Sequence, residues 1–193
     1  MKGIFLKLGR LALLTIALTA FTGPAYAQMV VMGKSKSAQC YEYALAGNTG
    51  TRSAINICTE AFDDVLSQRN RAATHVNRGV LFMRQGAQLK ATSDYEAALA
   101  IKPNLTQAYV NHAASLIRQE RYDEAIESLN TALSDTESPT RAAALYNRAI
   151  AFDAKKDYKG AYFDLKAALA IRPDWELALG MISRYEVQSA STG

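Results

Sequence analysis

A repeating pattern of apolar and polar positions fills most of the chain from residue 72 onward. Apolar residues recur there at helical spacing, in pairs of segments joined by short polar turns. Fixed columns of small and large residues step by 34 positions and then by 36. The small columns are Gly79, Ala113 and Ala149; Ala91, Ala125 and Ala161; and Ala98, Ala132 and Ala168. The large columns are Phe82, Leu116 and Phe152, and Tyr95, Leu129 and Leu165. The pattern predicts three helical hairpins that must stack, because one hairpin cannot bury its apolar face alone.

The change of step indicates a two-residue insertion between the second and third units, in the turn around 134–141. Each unit is closed by a proline: Pro103, Pro139 and Pro173. Asn104, Ser138 and Asp174 lie where helix N-caps are expected. After the last proline, residues 175–187 predict one more amphipathic helix without a partner, which would cover the open end of the stack.

Two shorter segments upstream also have helical patterns. Residues 37–45 predict a short helix, and residues 52–66 predict a second one with apolar residues at helical spacing. The segment 47–51, GNTGT, is rich in turn residues. These segments predict a divergent fourth hairpin ahead of the three regular ones.

The first 27 residues resemble a cleaved secretory leader. Lys2, Lys7 and Arg10 precede an apolar run that is shorter than the ~20 residues a membrane span needs. Ala25-Tyr26-Ala27 then supplies a small-x-small cleavage site, so we expect Gln28 to begin the mature chain. An uncleaved anchor is the alternative. We therefore expect export, most simply to the periplasm, and no membrane insertion after cleavage.

Removing this leader changes the charge balance. The chain has 22 Lys+Arg and 18 Asp+Glu, a net charge of +4. Three of the basic residues and none of the acidic ones lie in residues 1–27, which leaves 19 against 18, or +1. Such a balance gives no electrostatic footprint for nucleic acid.

A unit of 34 residues with this order of columns resembles the tetratricopeptide repeat. The residues that carry the resemblance are Gly79, Phe82, Ala91, Tyr95, Ala98 and Pro103, with their equivalents in the other units. The resemblance implies an all-α, right-handed superhelical array whose concave groove is lined by the first helix of each repeat. It also implies a binding scaffold for polypeptides.

Two columns depart from the family pattern. His75, Tyr109 and Leu145 stand where the family usually has tryptophan. A leucine column is replaced by Arg78, His112 and Arg148, which must extend to solvent or pair with acids on a neighbouring helix. Arg84 and Arg118 fall at the edge of the implied groove, where we expect them to be solvated. The groove lacks the cationic positions that would predict a clamp for acidic C-terminal tails.

The implied groove gives the candidate binding residues. Asn77, Asn111 and Asn147 form a column of amides that have both donors and acceptors for a peptide backbone. The alternative is that these asparagines bond to a neighbouring repeat. Other candidates around them are Val76, Val80, Val110, Tyr146 and Ile150, any of which could instead belong to the core.

Cys40 and Cys58 are the two cysteines of the chain. An exported chain favours a disulfide. In a divergent first repeat of the family type, Cys40 falls opposite Cys58, and their bridge would add roughly 3 kcal/mol. Two buried free thiols are the alternative.

The sequence contains no motif for catalysis. His75 and His112 occupy packing columns, and neither a zinc-protease nor a nucleophile-elbow motif is present. We expect neither enzymatic activity nor a cofactor nor a metal.

The sequence therefore predicts a non-enzymatic scaffold that binds another protein or peptide. The alternative is a structural or assembly factor that acts through self-association or through the edges of the array. The predicted organisation is a signal peptide (1–27), a linker (28–36), a divergent hairpin (37–69), three repeats (72–105, 106–141 and 142–173), a capping helix (174–188) and a disordered tail (189–193).

Overall fold

The computed structural model describes residues 34–46 and 52–185. Within these ranges the chain forms nine α-helices, one short 3-10 turn and no strand, which confirms the predicted all-α class. The helices are α1 (Lys36–Leu45), α2 (Arg52–Glu60), α3 (Gln68–Arg84), α4 (Gln88–Ile101), α5 (Thr106–Ile117), α6 (Tyr122–Leu133), α7 (Arg141–Ala154), α8 (Tyr158–Ile171) and α9 (Glu176–Ile182).

Consecutive helices pack as hairpins, and the hairpins stack in chain order. The hairpins are α1–α2, α3–α4, α5–α6 and α7–α8, followed by the single helix α9. The second helix of each hairpin packs on the first helix of the next, and α5 also contacts both α3 and α7. The described helices therefore form a solenoid in which each unit relies on its neighbours for burial.

The core follows the columns of the sequence. All nine residues of the three small columns are buried, as are Tyr95, Leu129 and Leu165. At Gly79 an added Cβ would lie 2.5 Å from the ring of Tyr95, so only glycine permits this approach of α3 to α4. The repeat thus encodes both the close helix contacts and the large side chains that fill the space beside them.

The turn between the two helices of each repeat contains a left-handed residue. Gly86, Glu120 and Lys156 occupy the same position in the three repeats, with φ of 78°, 60° and 64°. Glycine adopts this conformation without steric cost, whereas the other two residues hold it under strain.

The predicted helix ends differ from the observed ones at the divergent hairpin. The segment 52–66 was expected to be one helix, but α2 ends at Glu60 and a 3-10 turn covers Ala61–Asp63. The next helix begins at Gln68, because Ser67 caps it by accepting a hydrogen bond from the Asn70 amide at 3.2 Å. The apolar periodicity alone places the start of the first regular repeat at residue 72, whereas this N-cap makes the helix begin four residues earlier.

The predicted capping helix was also longer than the observed one. The expected helix covered 175–187, but α9 ends at Ile182. The N-caps expected at Asn104 and Asp174 are wrong, since α5 and α9 follow Leu105 and Trp175, which make no side-chain cap bond. The chain instead caps α8 with Asp157, which accepts from the Gly160 amide at 2.9 Å.

Several predictions concern residues outside the described ranges. These are the leader (1–27), its cleavage site, most of the linker, the turn at 47–51 and the tail (189–193). At the described end of the linker, Lys36 already belongs to α1.

Candidate binding groove

The first helices of the three regular repeats place the predicted amides on one surface. Asn77 lies on α3, Asn111 on α5 and Asn147 on α7, at the same position of each repeat, and all three side chains are half-buried. Val80 and Ile150 lie one turn further along α3 and α7 and are half-buried as well. These five residues define what we call the first-helix face.

The hydrogen bonding of the three amides differs. Asn111 Oδ1 accepts from Gln107 Nε2 on the same helix at 3.0 Å. Within the described residues, the side chains of Asn77 and Asn147 make no hydrogen bond. In the part of the chain that the structure describes, none of the three side chains bonds to a neighbouring repeat.

Two residues predicted for the groove lie in the core instead. Val76 is 8% exposed and packs in a cluster with Ala108, and Val110 is 4% exposed and packs in a cluster with Ala144. In both cases the first helix of the following repeat covers the valine, because an alanine at the contact lets that helix approach closely. Their burial removes both valines from the set of groove residues.

Tyr146 occupies the same column as these valines but is only half-buried. Its ring packs against Trp175, with the ring centroids 4.7 Å apart. The short helix α9 follows the third repeat, and an open cleft of about 470 Å³ lies between α7 and α9. Its lining residues are Tyr146, Ile150, Asp153, Glu176, Leu177, Gly180, Met181 and Arg184.

One edge of this cleft is a small polar cluster. Asp153 accepts hydrogen bonds from Tyr185 Oη at 2.6 Å and from Arg184 Nη2 at 3.3 Å. Burial raises the pKa of Tyr185 to about 12, and its bond to the Asp153 carboxylate adds to the effect. The arginine neutralises the carboxylate, so this edge is polar but carries little net charge.

Behind the first-helix face, the column of Arg78, His112 and Arg148 joins the helices of each repeat. Arg78 donates two hydrogen bonds to Asp94 at 2.8 and 2.7 Å, and Arg148 donates two to Asp164 at 2.7 and 2.8 Å. These pairings confirm, for the two arginines of the column, the expectation of an acid on a neighbouring helix. Bidentate arginine–carboxylate pairs are among the strong hydrogen bonds in proteins.

The middle repeat uses neutral groups at the same place. His112 Nδ1 is hydrogen-bonded to Ser128 Oγ at 2.8 Å. Its Nε2 is buried without a hydrogen bond, and Glu96 Oε1 lies 3.7 Å away, beyond hydrogen-bonding distance. Burial lowers the pKa of His112, although the nearby Glu96 opposes this shift.

His75 supports the first of the ion pairs. Its Nδ1 donates to Asp94 Oδ1 at 2.9 Å. Burial alone would raise the pKa of Asp94, but the hydrogen bonds from Arg78 and His75 outweigh burial and lower it. Both histidines therefore have packing contacts, as the columns predicted.

A disulfide bond joins Cys40 and Cys58, as predicted, with the two Cα atoms 4.8 Å apart. Both cysteines are fully buried against Leu81 of α3. Arg84 is exposed, as expected, and it also donates to the carbonyl oxygens of Tyr43 and Ala44 at 3.3 and 2.6 Å. Arg84 thereby caps the end of α1, and Arg118 is exposed as well.

Sequence reasoning missed the partners Asp94, Ser128 and Asp164. Each lies 16 residues after its partner in the Arg78 column. That constant offset was visible in the sequence. Within the described residues there is no cluster of three or more potential metal ligands, and no helix there has the length and apolar character needed to cross a membrane.

The fold defines a solenoid of stacked helical hairpins, and the comparisons name its type. Residues 106–134, which cover α5 and α6, match the family described as tetratricopeptide repeat. This match covers one of the three regular hairpins, and the solved structures below share the arrangement of all three, so the chain has a tetratricopeptide-repeat type of fold. The family is generally a protein-interaction fold rather than an enzyme fold.

One curated relative matches part of the chain. The Lipoprotein NlpI homolog of Haemophilus influenzae (strain ATCC 51907 / DSM 11121 / KW20 / Rd) is 35% identical over 66 residues. These residues are 34% of this chain and 21% of that protein, so the chain spans only a small part of the relative's length.

Three solved structures have the same fold. MamA from Desulfovibrio magneticus RS-1 has a TM-score of 0.63 at 16% identity, covering 78% of this chain and 84% of that one. YrrB, described as a TPR protein with an unusual peptide-binding site, has 0.60 at 20%, covering 68% and 66%. The second TPR domain of human RPAP3, solved with the HSP70 peptide SGPTIEEVD, has 0.56 at 21%, covering 61% and 97%. These likenesses establish the fold alone.

Proposed function

We propose that this protein is a scaffold that binds an extended polypeptide along the first-helix face. The observation that carries the proposal is the row of Asn77, Asn111 and Asn147, half-buried at one position of three adjacent helices and unbonded to any neighbouring repeat. A primary amide both donates and accepts, so a row of them pairs with successive peptide groups whatever the ligand's side chains.

The surroundings of the row support this proposal. Val80 and Ile150 supply apolar surface beside the amides, and Tyr146 adds part of an aromatic ring. Such a surface suits a short segment that contributes both backbone hydrogen bonds and apolar side chains. The printed descriptions of YrrB and RPAP3, a peptide-binding site and a bound peptide, support the same class of partner.

The test is a random-peptide phage selection on the wild-type protein, followed by titration of the enriched peptides by fluorescence anisotropy. The variant Asn111→Ala/Asn147→Ala should weaken their binding about 30-fold, since it removes two hydrogen bonds worth about 1 kcal/mol each. Its melting temperature should change little, because neither amide holds a neighbouring repeat.

Asn104→Ala is the matched control. It removes an exposed asparagine amide in the turn before α5, outside the first-helix face, and should leave peptide affinity unchanged. Equal peptide affinity for the double variant and the wild type would contradict the proposal. Unfolding of the double variant would instead make the asparagines structural.

A second candidate function is self-association through the end of the array. Ile171 on α8 and Leu179 on α9 are large apolar side chains that are 48% and 45% exposed, and exposed apolar patches are typical of interaction sites. Leu179 lies in the same column as the buried Leu145. Leu145 is on α7, which packs with α8 as a hairpin, whereas α9 has no hairpin partner among the described residues. Multi-angle light scattering across a concentration series tests this candidate. The mass should rise with concentration in the wild type and not in Leu179→Ser, whereas a monomer at every concentration contradicts it.

We also propose that the chain is exported. The charged and apolar pattern of residues 1–27, the Cys40–Cys58 disulfide and the lipoprotein name of the partial relative support this proposal. Cell fractionation followed by mass spectrometry should find the protein outside the cytoplasm, with Gln28 at its N-terminus. A cytoplasmic protein that retains Met1 would contradict export.

A further inference from the structure

The cleft between α7 and α9 lies where one column of the repeat changes its residue. Val76, Val110 and Tyr146 hold this column in the three repeats, and Gly180 holds it in α9. Each valine is covered by the next first helix. At Gly180 nothing lies within 4 Å of an added Cβ, so the missing side chain leaves open space. The cleft of about 470 Å³ lies at this point.

The floor and walls of the cleft are mainly apolar. Tyr146 and Ile150 form the side that belongs to α7, and Leu177 and Met181 form the side that belongs to α9. Met181 is held at 8% exposure in the terminal core cluster, whereas Leu177 is 64% exposed. A large apolar ligand side chain would cover Leu177 and gain burial for itself.

The rim of the cleft carries one uncompensated charge. Asp153 is neutralised by Arg184, as described above. Glu176 makes no ion pair with any of the described residues. A lysine or arginine beside the apolar side chain would therefore find a partner at Glu176.

The cleft is continuous with the first-helix face. Tyr146 of the cleft immediately precedes Asn147, the last amide of the row, and Ile150 belongs to both surfaces. A polypeptide chain that is hydrogen-bonded to Asn147 would therefore place its next side chains beside the cleft.

We propose that this cleft anchors one large apolar side chain, adjacent in sequence to a lysine or arginine, of the polypeptide that binds the first-helix face. The anchor rests on the proposed function, since it is the specificity pocket of the same groove. Leucine, methionine and phenylalanine are the residues that match its size and lining.

The test uses the random-peptide phage library on the full mature chain. Enriched peptides should share a leucine, methionine or phenylalanine next to a lysine or arginine. Gly180→Leu fills the cleft and should weaken the enriched peptide by about tenfold or more, the value of burying one such side chain. A peptide with its apolar residue changed to alanine should lose the same affinity for the wild type, and lose nothing further with Gly180→Leu.

Two further variants make the result specific. Gly180→Ala adds only a methyl group to open space and should keep peptide affinity while raising the melting temperature, because glycine weakens a helix. Glu176→Lys should remove the preference for a neighbouring lysine or arginine. Melting curves establish that each variant is folded.

The outcomes separate the anchor from the proposed function. Loss of binding with Asn111→Ala/Asn147→Ala but not with Gly180→Leu would overturn the anchor and keep the groove. Loss with Gly180→Leu but not with the asparagine variant would overturn the groove. Failure to enrich any peptide would count against both.

Discussion

The outer repeats and the middle repeat hold their two helices together with different chemistry. In the first and third repeats an arginine forms an ion pair with a nearly buried carboxylate, whereas in the second a histidine is hydrogen-bonded to a serine. All three repeats nevertheless form a helical hairpin with a left-handed residue in the turn. Register is thus set by the small-residue columns and large apolar residues, and the polar pair at this position adds strength rather than geometry.

The same column also contacts the preceding hairpin. Arg78 stacks on the ring of Phe62, its guanidinium carbon 4.7 Å from the ring centroid, and Arg148 donates to Asn130 Oδ1 at 2.7 Å. His112 faces Glu96, which holds the equivalent position in the first repeat. Each residue of the column therefore links its own hairpin to the preceding one, and the link at His112 depends on pH because burial lowers the pKa of this histidine.

The joint between the first and second repeats contains further neutral hydrogen bonds. Thr92 and Ser115 are both buried, with their hydroxyl oxygens 2.8 Å apart, and Gln119 Nε2 donates to Thr92 Oγ1 at 2.7 Å. In the third repeat the position of Ser115 is Ala151, which is also buried. Equivalent buried positions of neighbouring repeats thus hold either a polar or an apolar residue. Both are tolerated because a buried polar group whose hydrogen bonds are satisfied costs little stability.

The largest predicted difference between the repeats follows from removing one partner of each pair. Asp164→Ala leaves Arg148 without its carboxylate in a nearly buried site and should lower the free energy of unfolding by about 3 kcal/mol. Ser128→Ala removes one neutral hydrogen bond and should cost about 1 kcal/mol. Urea unfolding followed by circular dichroism measures both variants.

Replacing both Arg148 and Asp164 by apolar residues of similar size is the control for this comparison. Because no charge is then left unpaired, the double variant Arg148→Met/Asp164→Leu should be more stable than Asp164→Ala. Equal costs for Asp164→Ala and Ser128→Ala would show that the ion pair contributes no more than the neutral pair.

The next predicted difference is in pH dependence. Burial lowers the pKa of His112 below its ordinary 6.5, so the unfolded chain binds a proton more readily than the folded one. The stability linked to His112 is complete above this value and decreases as the pH falls towards the lowered pKa. The pKa of Asp94 is also lowered, from 3.8, so its contribution is complete above 3.8 and is lost only as the pH falls through the lowered value.

The measurement is the free energy of unfolding at about pH 7 and about pH 5, on either side of the ordinary histidine pKa. The wild type should lose more stability between these conditions than His112→Gln, which cannot take up the proton. His75→Gln is the matched control, since it leaves the middle link intact. An identical pH dependence in wild type and His112→Gln would show that this histidine does not govern the acid response.

The smallest effect comes from a feature that the middle and third repeats share. Glu120→Gly and Lys156→Gly each relieve a left-handed backbone and should stabilise the protein by up to about 1 kcal/mol. The two gains should be alike, because this turn does not depend on the polar pair. Melting temperatures measure them, and a gain in only one repeat would show that the turns are not equivalent.

Much of this fold could be predicted from the sequence, because the columns of small residues indicate where two helices pack closely against each other. The Cys40–Cys58 pair followed from the same alignment of columns. The binding face was less predictable, because Val76 and Val110 have the spacing of groove residues and lie in the core. Spacing assigns a side chain to a side of its own helix, but coverage by the next helix decides whether a ligand reaches it.

The sequence by itself determined the all-helical class, the number of regular hairpins and the row of asparagines, because these depend on local period and on contacts that repeat. Only the tertiary structure decided the end of α2, the role of Arg84 as a cap on α1 and the open cleft beside Gly180. Each of these depends on which neighbour is present or missing at one place in the stack. A repeating sequence pattern indicates the packing that all repeats share, whereas the first hairpin and α9 depart from that packing.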